Sequence, residues 1–192
     1  CKYILEILKE NKSQCKFLNA TSSEMFGNIK NKIKLSSLKK PYSPYGFAKL
    51  KSFNITKNFR VRHNVKAFNA IIFNTDSFLR DKNFLIPKIC IAAINAKKNG
   101  KRTAFGNINI VREWNWCDEQ SQYLIKFLEK KPQDFILSNG KFYSARQMIK
   151  FAFDYFNLNY KKYVYLDNNH IRKNEVKKKI SDYRSCLKRN KI

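Results

Sequence analysis

The chain has 192 residues, enough for one domain with a real core. It is 43% hydrophobic and 15% aromatic, which excludes a disordered polycation. The net charge of +26 invites a nucleic-acid reading, but the Lys residues are scattered along the whole chain, with no single basic motif, and this argues against specific nucleic-acid binding. The joint abundance of Asn, Ile, Phe, Tyr and Lys is what an AT-rich genome produces by drift.

In chain order, residues 1–11 read as the end of a helix, and Lys16 to Ala20 as a short buried strand. Ala20-Thr21-Ser22-Ser23-Glu24-Met25-Phe26-Gly27 then puts hydroxyls and a carboxylate just past that strand. Gly27 to Lys40 is a polar, basic loop, and Pro44 to about Arg62 a long helix. Ser43 fits its N-cap and Pro44 its first position. Tyr45 and Lys49 lie at i and i+4, on one helix face. An ammonium beside the phenol, near the positive helix end, favours phenolate and so a base. On its own, such a pair also fits an amphipathic helix with one aromatic and one solvated Lys.

Val65 to Phe73 is a strong strand ending at Asn74, and Phe84 to Lys98 a second long helix closed by Asn99-Gly100. Thr103 to Phe105 is a short strand before a turn at Gly106-Asn107. Asp118 to Lys130 is a helix stopped before Pro132, Asp134 to Ser138 a strand, and Ser144 to Tyr155 a helix capped by Ser144. From Lys161 the chain is basic, with a helix expected at Asp182 to Arg189. Alternating strands and helices predict an α/β fold with a mostly parallel sheet. Ligands sit at the carboxyl ends of such strands, where Ser22 to Glu24 and Asn74 both fall.

The five cysteines are widely spaced and, with two His, form no zinc pattern, so no metal is expected. They read as reduced thiols of a cytoplasmic protein. No signal peptide or membrane span is visible. The chain begins with Cys1 and carries no Gly-x-x-Gly-x-x-Gly among its five glycines, so a segment upstream is expected to hold the dinucleotide pyrophosphate.

The Ser-Ser-Glu-Met-Phe-Gly and Ser-Pro-Tyr-Gly-Phe-Ala-Lys segments together resemble the extended short-chain dehydrogenases that act on nucleotide sugars. Within them they are most similar to the GDP-mannose 4,6-dehydratase family. The dTDP-glucose dehydratases usually carry Asp-Glu where this chain has Ser23-Glu24. The resemblance implies the C-terminal part of a Rossmann-type parallel sheet with a smaller interleaved α/β substrate-binding region. It assigns residues 1–75 and 111–140 to the former and 76–110 and 141–192 to the latter, truncated at the C-terminus.

It also implies the site. Ser22 (a Thr in the family), Glu24, Tyr45 and Lys49 would be catalytic, and Tyr45, Lys49 and Arg80 would hold NADP. Asn74, Lys88, Arg112, Arg172 and Glu175 would bind GDP-mannose. Arg112-Glu113-Trp114 resembles the family's Arg-Asp-Trp, where a guanidinium forks onto phosphate oxygens. Arg172 to Val176 resembles Arg-Pro-Thr-Glu-Val. Two departures stand out: Thr75 replaces a cofactor-contacting His, and Pro87-Lys88 replaces an Arg-Lys pair. Lys88 fits a phosphate contact and a solvated Lys equally well.

The implied chemistry is a dehydration. Tyr45 takes the proton of the sugar 4-hydroxyl, Glu24 removes the C5 proton, and Ser22 relays a proton as water leaves C6, with NADP storing the hydride in between. A sibling epimerase would need the Tyr and Lys but not the acid/base Glu. A non-catalytic remnant would lack the cofactor loop. Family members usually associate, so a homo-oligomer is expected of the full-length protein.

Overall fold

The computed structural model describes residues 1–171 and 176–182. The elements run, in chain order, α1 (Lys2–Glu10), β1 (Phe17–Ser22), a 3-10 turn (Ser23–Phe26), α2 (Pro44–His63), β2 (Ala67–Ile72) and β3 (Asn74–Asp76). They continue with α3 (Leu85–Asn99), β4 (Thr103–Phe105), β5 (Val111–Trp116), α4 (Cys117–Leu128), β6 (Asp134–Leu137) and β7 (Phe142–Ser144). The chain closes with α5 (Ala145–Asp154), α6 (Tyr160–Tyr163), β8 (Val164–Leu166), a second 3-10 turn (Asn168–His170) and β9 (Lys178–Lys179).

β1, β2 and β6 form a parallel sheet in that order, with Phe17 opposite Ala67 and Ser22 opposite Ile72. β2 is buried along nearly its whole length, as a central parallel strand must be. Its side chains alternate between two cores. Ile71 and Phe73 meet Phe53 of α2 on one face. Phe68 and Ala70 meet Phe127 of α4 on the other, where Phe127 stacks on Phe135 with ring centroids 3.9 Å apart. Helices therefore cover both faces, the expected α/β architecture.

One polar residue crosses this apolar centre. Asn69 is fully buried and donates to Phe53 O (3.0 Å) and to Asp134 Oδ1 (2.8 Å), while its own Oδ1 accepts from Asn19 (2.9 Å). Asp134 also pairs with Arg60 at 2.7 Å. The three strands are thus pinned in register by bonds that an apolar residue could not make.

The second sheet is mixed. β3 pairs parallel with β5, β7 antiparallel with β5, and β9 parallel with β5. β4 and β8 make a separate parallel pair. α3 and α5 bury Ile89, Ala92, Ala93, Ala96, Ile149 and Phe153 in a core of their own.

Most element positions follow the sequence reading to within a few residues. β1 runs on to Ser22 instead of stopping at Ala20, because Thr21 and Ser22 continue the ladder and the Thr21 hydroxyl bonds Ala70 O at 2.8 Å. The sequence reading has no separate element at β3, β5, β7, α6, β8 or β9; each is short or rich in polar and aromatic residues, and most depend on partners distant in sequence. The helix expected at Asp182 to Arg189 lies outside the described residues apart from Asp182.

Candidate active site

The Ser-Ser-Glu segment turns sharply where β1 ends. Ser22 caps the 3-10 turn, its hydroxyl accepting from Glu24 N at 3.2 Å. Gly27 then leaves the turn at φ +61°, and a Cβ there would fall 1.9 Å from Lys40 O. Only glycine fits that position.

α2 starts as its residues dictate. Ser43 accepts from Gly46 N at 3.0 Å, and Pro44 opens the first turn. Gly46 lets the helix start press onto the preceding turn. A Cβ at Gly46 would lie 2.9 Å from both Glu24 O and Pro41 Cβ. This close approach brings Glu24 and Tyr45 to one place from separate segments. Tyr45 is 55% exposed there.

Lys49 stands one turn further along. Its ammonium donates to Ala20 O at 2.8 Å and lies 5.5 Å from the centroid of the Tyr45 ring. The helix is tied by this bond to the end of β1. A lysine ammonium carries three donors, and this bond uses one.

Ser22, Glu24, Tyr45 and Lys49 therefore gather at the carboxyl edge of the first sheet. Asn74 opens β3 two residues past Ile72, the register partner of Ser22, and its backbone oxygen accepts from Asn115 at 3.0 Å. Thr75 spends its hydroxyl internally, on Phe73 O (3.3 Å) and Gln120 Oε1.

The remaining candidates divide. Arg80 sits over the Phe84 ring at 3.7 Å and 3.9 Å from Asp76. Lys88 lies in the first turn of α3 with its ammonium 5.0 Å from the Phe105 centroid. No hydrogen bond or ion pair among the described residues joins either to Glu24, Tyr45 or Lys49. Arg112 is on β5, opposite Tyr143 of β7 and Lys179 of β9, and donates to Val111 O at 2.9 Å. Arg172 and Glu175 lie outside the described residues.

One residue of the neighbourhood was missed. Lys179 is 1% exposed, and its ammonium lies 2.5 Å from Glu24 Oε1. Burial pushes its pKa down, while Glu24 opposes that shift and Arg112 adds to it. In the sequence Lys179 is the last of three consecutive lysines in a basic tail, and nothing local marks it as buried. Beside it, the fully buried Glu113 accepts from Asn139 N (3.0 Å) and from the Ser181 hydroxyl (2.6 Å) and amide (3.4 Å).

Among the described residues no cluster of His, Cys, Asp and Glu could hold a metal ion, and no helix is long and apolar enough to cross a membrane. Cys1, Cys15, Cys90 and Cys117 are free thiols.

The chain is 30% identical over 170 residues to GDP-mannose 4,6 dehydratase 1 of Arabidopsis thaliana, covering 87% of this chain and 47% of that protein. It is 32% identical over 142 residues to the human GDP-mannose 4,6 dehydratase, covering 72% of this chain and 38% of that one. The chain thus spans less than half the length of these relatives. Its fold superimposes on dTDP-glucose 4,6-dehydratase from Bacillus anthracis, solved in complex with NAD, with a TM-score of 0.86 at 14% identity, covering 98% of this chain and 59% of that one. The family described as GDP-mannose 4,6 dehydratase matches residues 2–191, essentially end to end, and it is to this family that the chain belongs.

Proposed function

We propose that this chain is the catalytic middle and later part of a nucleotide-sugar 4,6-dehydratase that converts GDP-mannose to its 4-keto-6-deoxy product with NADP. The observation that carries the reading is the approach of Gly46 to the backbone of Glu24, which brings the turn that carries Glu24 against the first turn of the helix that carries Tyr45 and Lys49, at the end of β1. An elimination next to a carbonyl needs a base for the C5 proton as well as a phenol for the 4-hydroxyl, and an epimerisation needs only the phenol. Glu24 therefore favours the dehydratase over a sibling epimerase.

Tyr45 accepts the proton of the sugar 4-hydroxyl. Lys49 holds its helix to β1 and keeps two ammonium donors for ribose hydroxyls. Glu24 takes the C5 proton, made acidic by the 4-keto group. Ser22 sits on the backbone amide of Glu24 and relays a proton to the departing 6-hydroxyl. Arg112 faces the diphosphate, and Asn74 and Lys88 contribute to substrate binding; for Arg172 and Glu175, outside the described residues, the family resemblance alone implies roles at the diphosphate and guanosine ends. NADP, when bound, supplies the reversible hydride acceptor, and Tyr45, Lys49 and Arg80 are the residues of this chain that would hold it. The glycine-rich pyrophosphate loop is not within these 192 residues.

The test uses the whole reading frame that carries this chain, incubated with GDP-mannose and NADP, with products read by mass spectrometry. Loss of one water from the sugar nucleotide is the expected result. Tyr45→Phe is expected to lower turnover by about 10²–10⁴-fold. Glu24→Gln is expected to stop elimination while substrate still binds, and full turnover by that variant would sink its role. Reaction with a different nucleotide sugar in place of GDP-mannose would make the protein a sibling dehydratase.

A further inference from the structure

We propose that Lys179 is the anchor of Glu24, a positioning residue that grips the acid/base carboxylate by one oxygen and leaves the other for the proton in flight. The inference rests on the dehydratase reading for its catalytic consequence, but the pairing itself stands on geometry. Lys179 is 1% exposed, its ammonium is ion-paired with Glu24 Oε1 at 2.5 Å, and it makes no well-angled hydrogen bond to any described residue. A buried ammonium with a single counter-charge is held where that counter-charge is. The reverse also applies. Glu24 is 42% exposed at its side chain, on a short turn, and Lys179 is the one described partner of its carboxylate. Without that contact a half-exposed glutamate would sample several rotamers.

The fold makes the anchor rigid. β9 pairs parallel with β5, and the next residues are fastened by Ser181, which bonds Glu113 at 2.6 Å and the Ser138 hydroxyl at 2.5 Å. Ile33 of the loop after the Glu24 turn bridges to the same segment, Ile33 N donating to Ile180 O at 2.9 Å and Asp182 N to Ile33 O at 2.8 Å. Glu24 and Lys179 are therefore on two segments clamped to one another. The charged groups that act on the Lys179 ammonium are Glu24, which stabilises it, and Arg112 of β5, which opposes it. Glu24 takes the C5 proton on the oxygen that Lys179 does not hold.

Two measurements on the whole protein test the anchor. In the first, melting temperatures are compared for wild type, Glu24→Gln, Lys179→Met and the double variant. Glu24→Gln strands a buried ammonium, so it lowers the melting temperature in the wild-type background and has little effect once Lys179 is Met. Equal effects of Glu24→Gln in both backgrounds would overturn the pairing. In the second, Lys179→Met is expected to lower kcat about 100-fold with KM nearly unchanged, since the base is misplaced while binding is kept. Lys179→Leu serves the same purpose should the Met variant not fold. An unchanged kcat overturns the positioning role and leaves the pair purely structural. A wild-type protein that turns over no nucleotide sugar refutes the dehydratase reading instead, and the melting comparison then decides the anchor by itself.

Discussion

The turn that carries Glu24 and the seam where β9 meets β5 lie against each other, joined by the Glu24–Lys179 ion pair, yet they are held by different means. The turn and the start of α2 are built from local rules: a serine cap on each, a proline in the first helical turn, and glycines where a Cβ would collide. The seam is built from contacts across 26 and 68 residues of sequence, centred on the buried Glu113. Local rules position a side chain cheaply, because nearby residues lose little entropy in meeting. The seam must gather distant segments around one carboxylate, so more of the fold depends on each of its bonds.

Breaking the seam should therefore cost the most. Glu113→Ala removes the acceptor for three donors, Asn139 N, the Ser181 amide and the Ser181 hydroxyl. The expected loss is roughly 3–4 kcal/mol, read from the urea midpoint. Glu113→Gln keeps one acceptor oxygen but turns an NH₂ toward other donors, so it should fall between. A loss from Glu113→Ala no larger than that of an ordinary surface substitution would erase the contrast between the two regions.

In the turn, the largest effect belongs to Gly27→Ala. The residue sits at φ +61°, and the added methyl would meet Lys40 O at 1.9 Å. Both the strained backbone and the collision count against it, for about 2–3 kcal/mol. Ser43→Ala is milder. It takes away only the cap bond to Gly46 N, worth about 1 kcal/mol, and Ser43→Asp should restore most of it because aspartate caps as well as serine. Should Ser43→Ala cost as much as Glu113→Ala in the same urea titration, the start of α2 is not locally held.

How much was legible follows the same division. The N-cap at Ser43, the Tyr45–Lys49 pair, the αL glycine after α3 and the cap at Ser144 each depend on residues within a few positions, and each stands where the sequence puts it. The carboxyl-edge placement of Ser22 and Asn74 was also legible, because parallel strands align their ends. Lys179 was not legible: its burial depends on β9 joining β5, a pairing of two residues whose only local signal is a run of lysines. Asn69 hid for the opposite reason. A polar residue inside a strong apolar strand reads as an imperfection until Asp134 and Asn19 arrive from either side.

The smallest effect sharpens the comparison from within the second sheet, by setting a carboxylate oxygen pair with hydrogen-bond partners against a buried oxygen without one. Asp76 lies on β3, next to the strand that carries Glu113. Its Oδ1 is buried with no hydrogen-bond partner, and Arg80 Nε approaches it only to 3.9 Å. Burial pushes its pKa up, and Arg80 opposes the shift without cancelling it. The folded protein therefore keeps this proton to higher pH than the unfolded chain does. Between the ordinary value of 3.8 and the raised one, the folded state binds more protons, so the Asp76 contribution to stability falls as pH rises through that window and stays low above it. Asp76→Asn has no such proton to lose. Relative to this variant, the wild type should be at its best below about pH 4 and lose ground steadily toward neutrality, a trend read from urea midpoints of both proteins across the same buffers. A difference that stays flat from acid to neutral pH would mean that Asp76 is as well solvated in the fold as out of it. The second sheet would then hold Glu113 as its one costly carboxylate among the described residues.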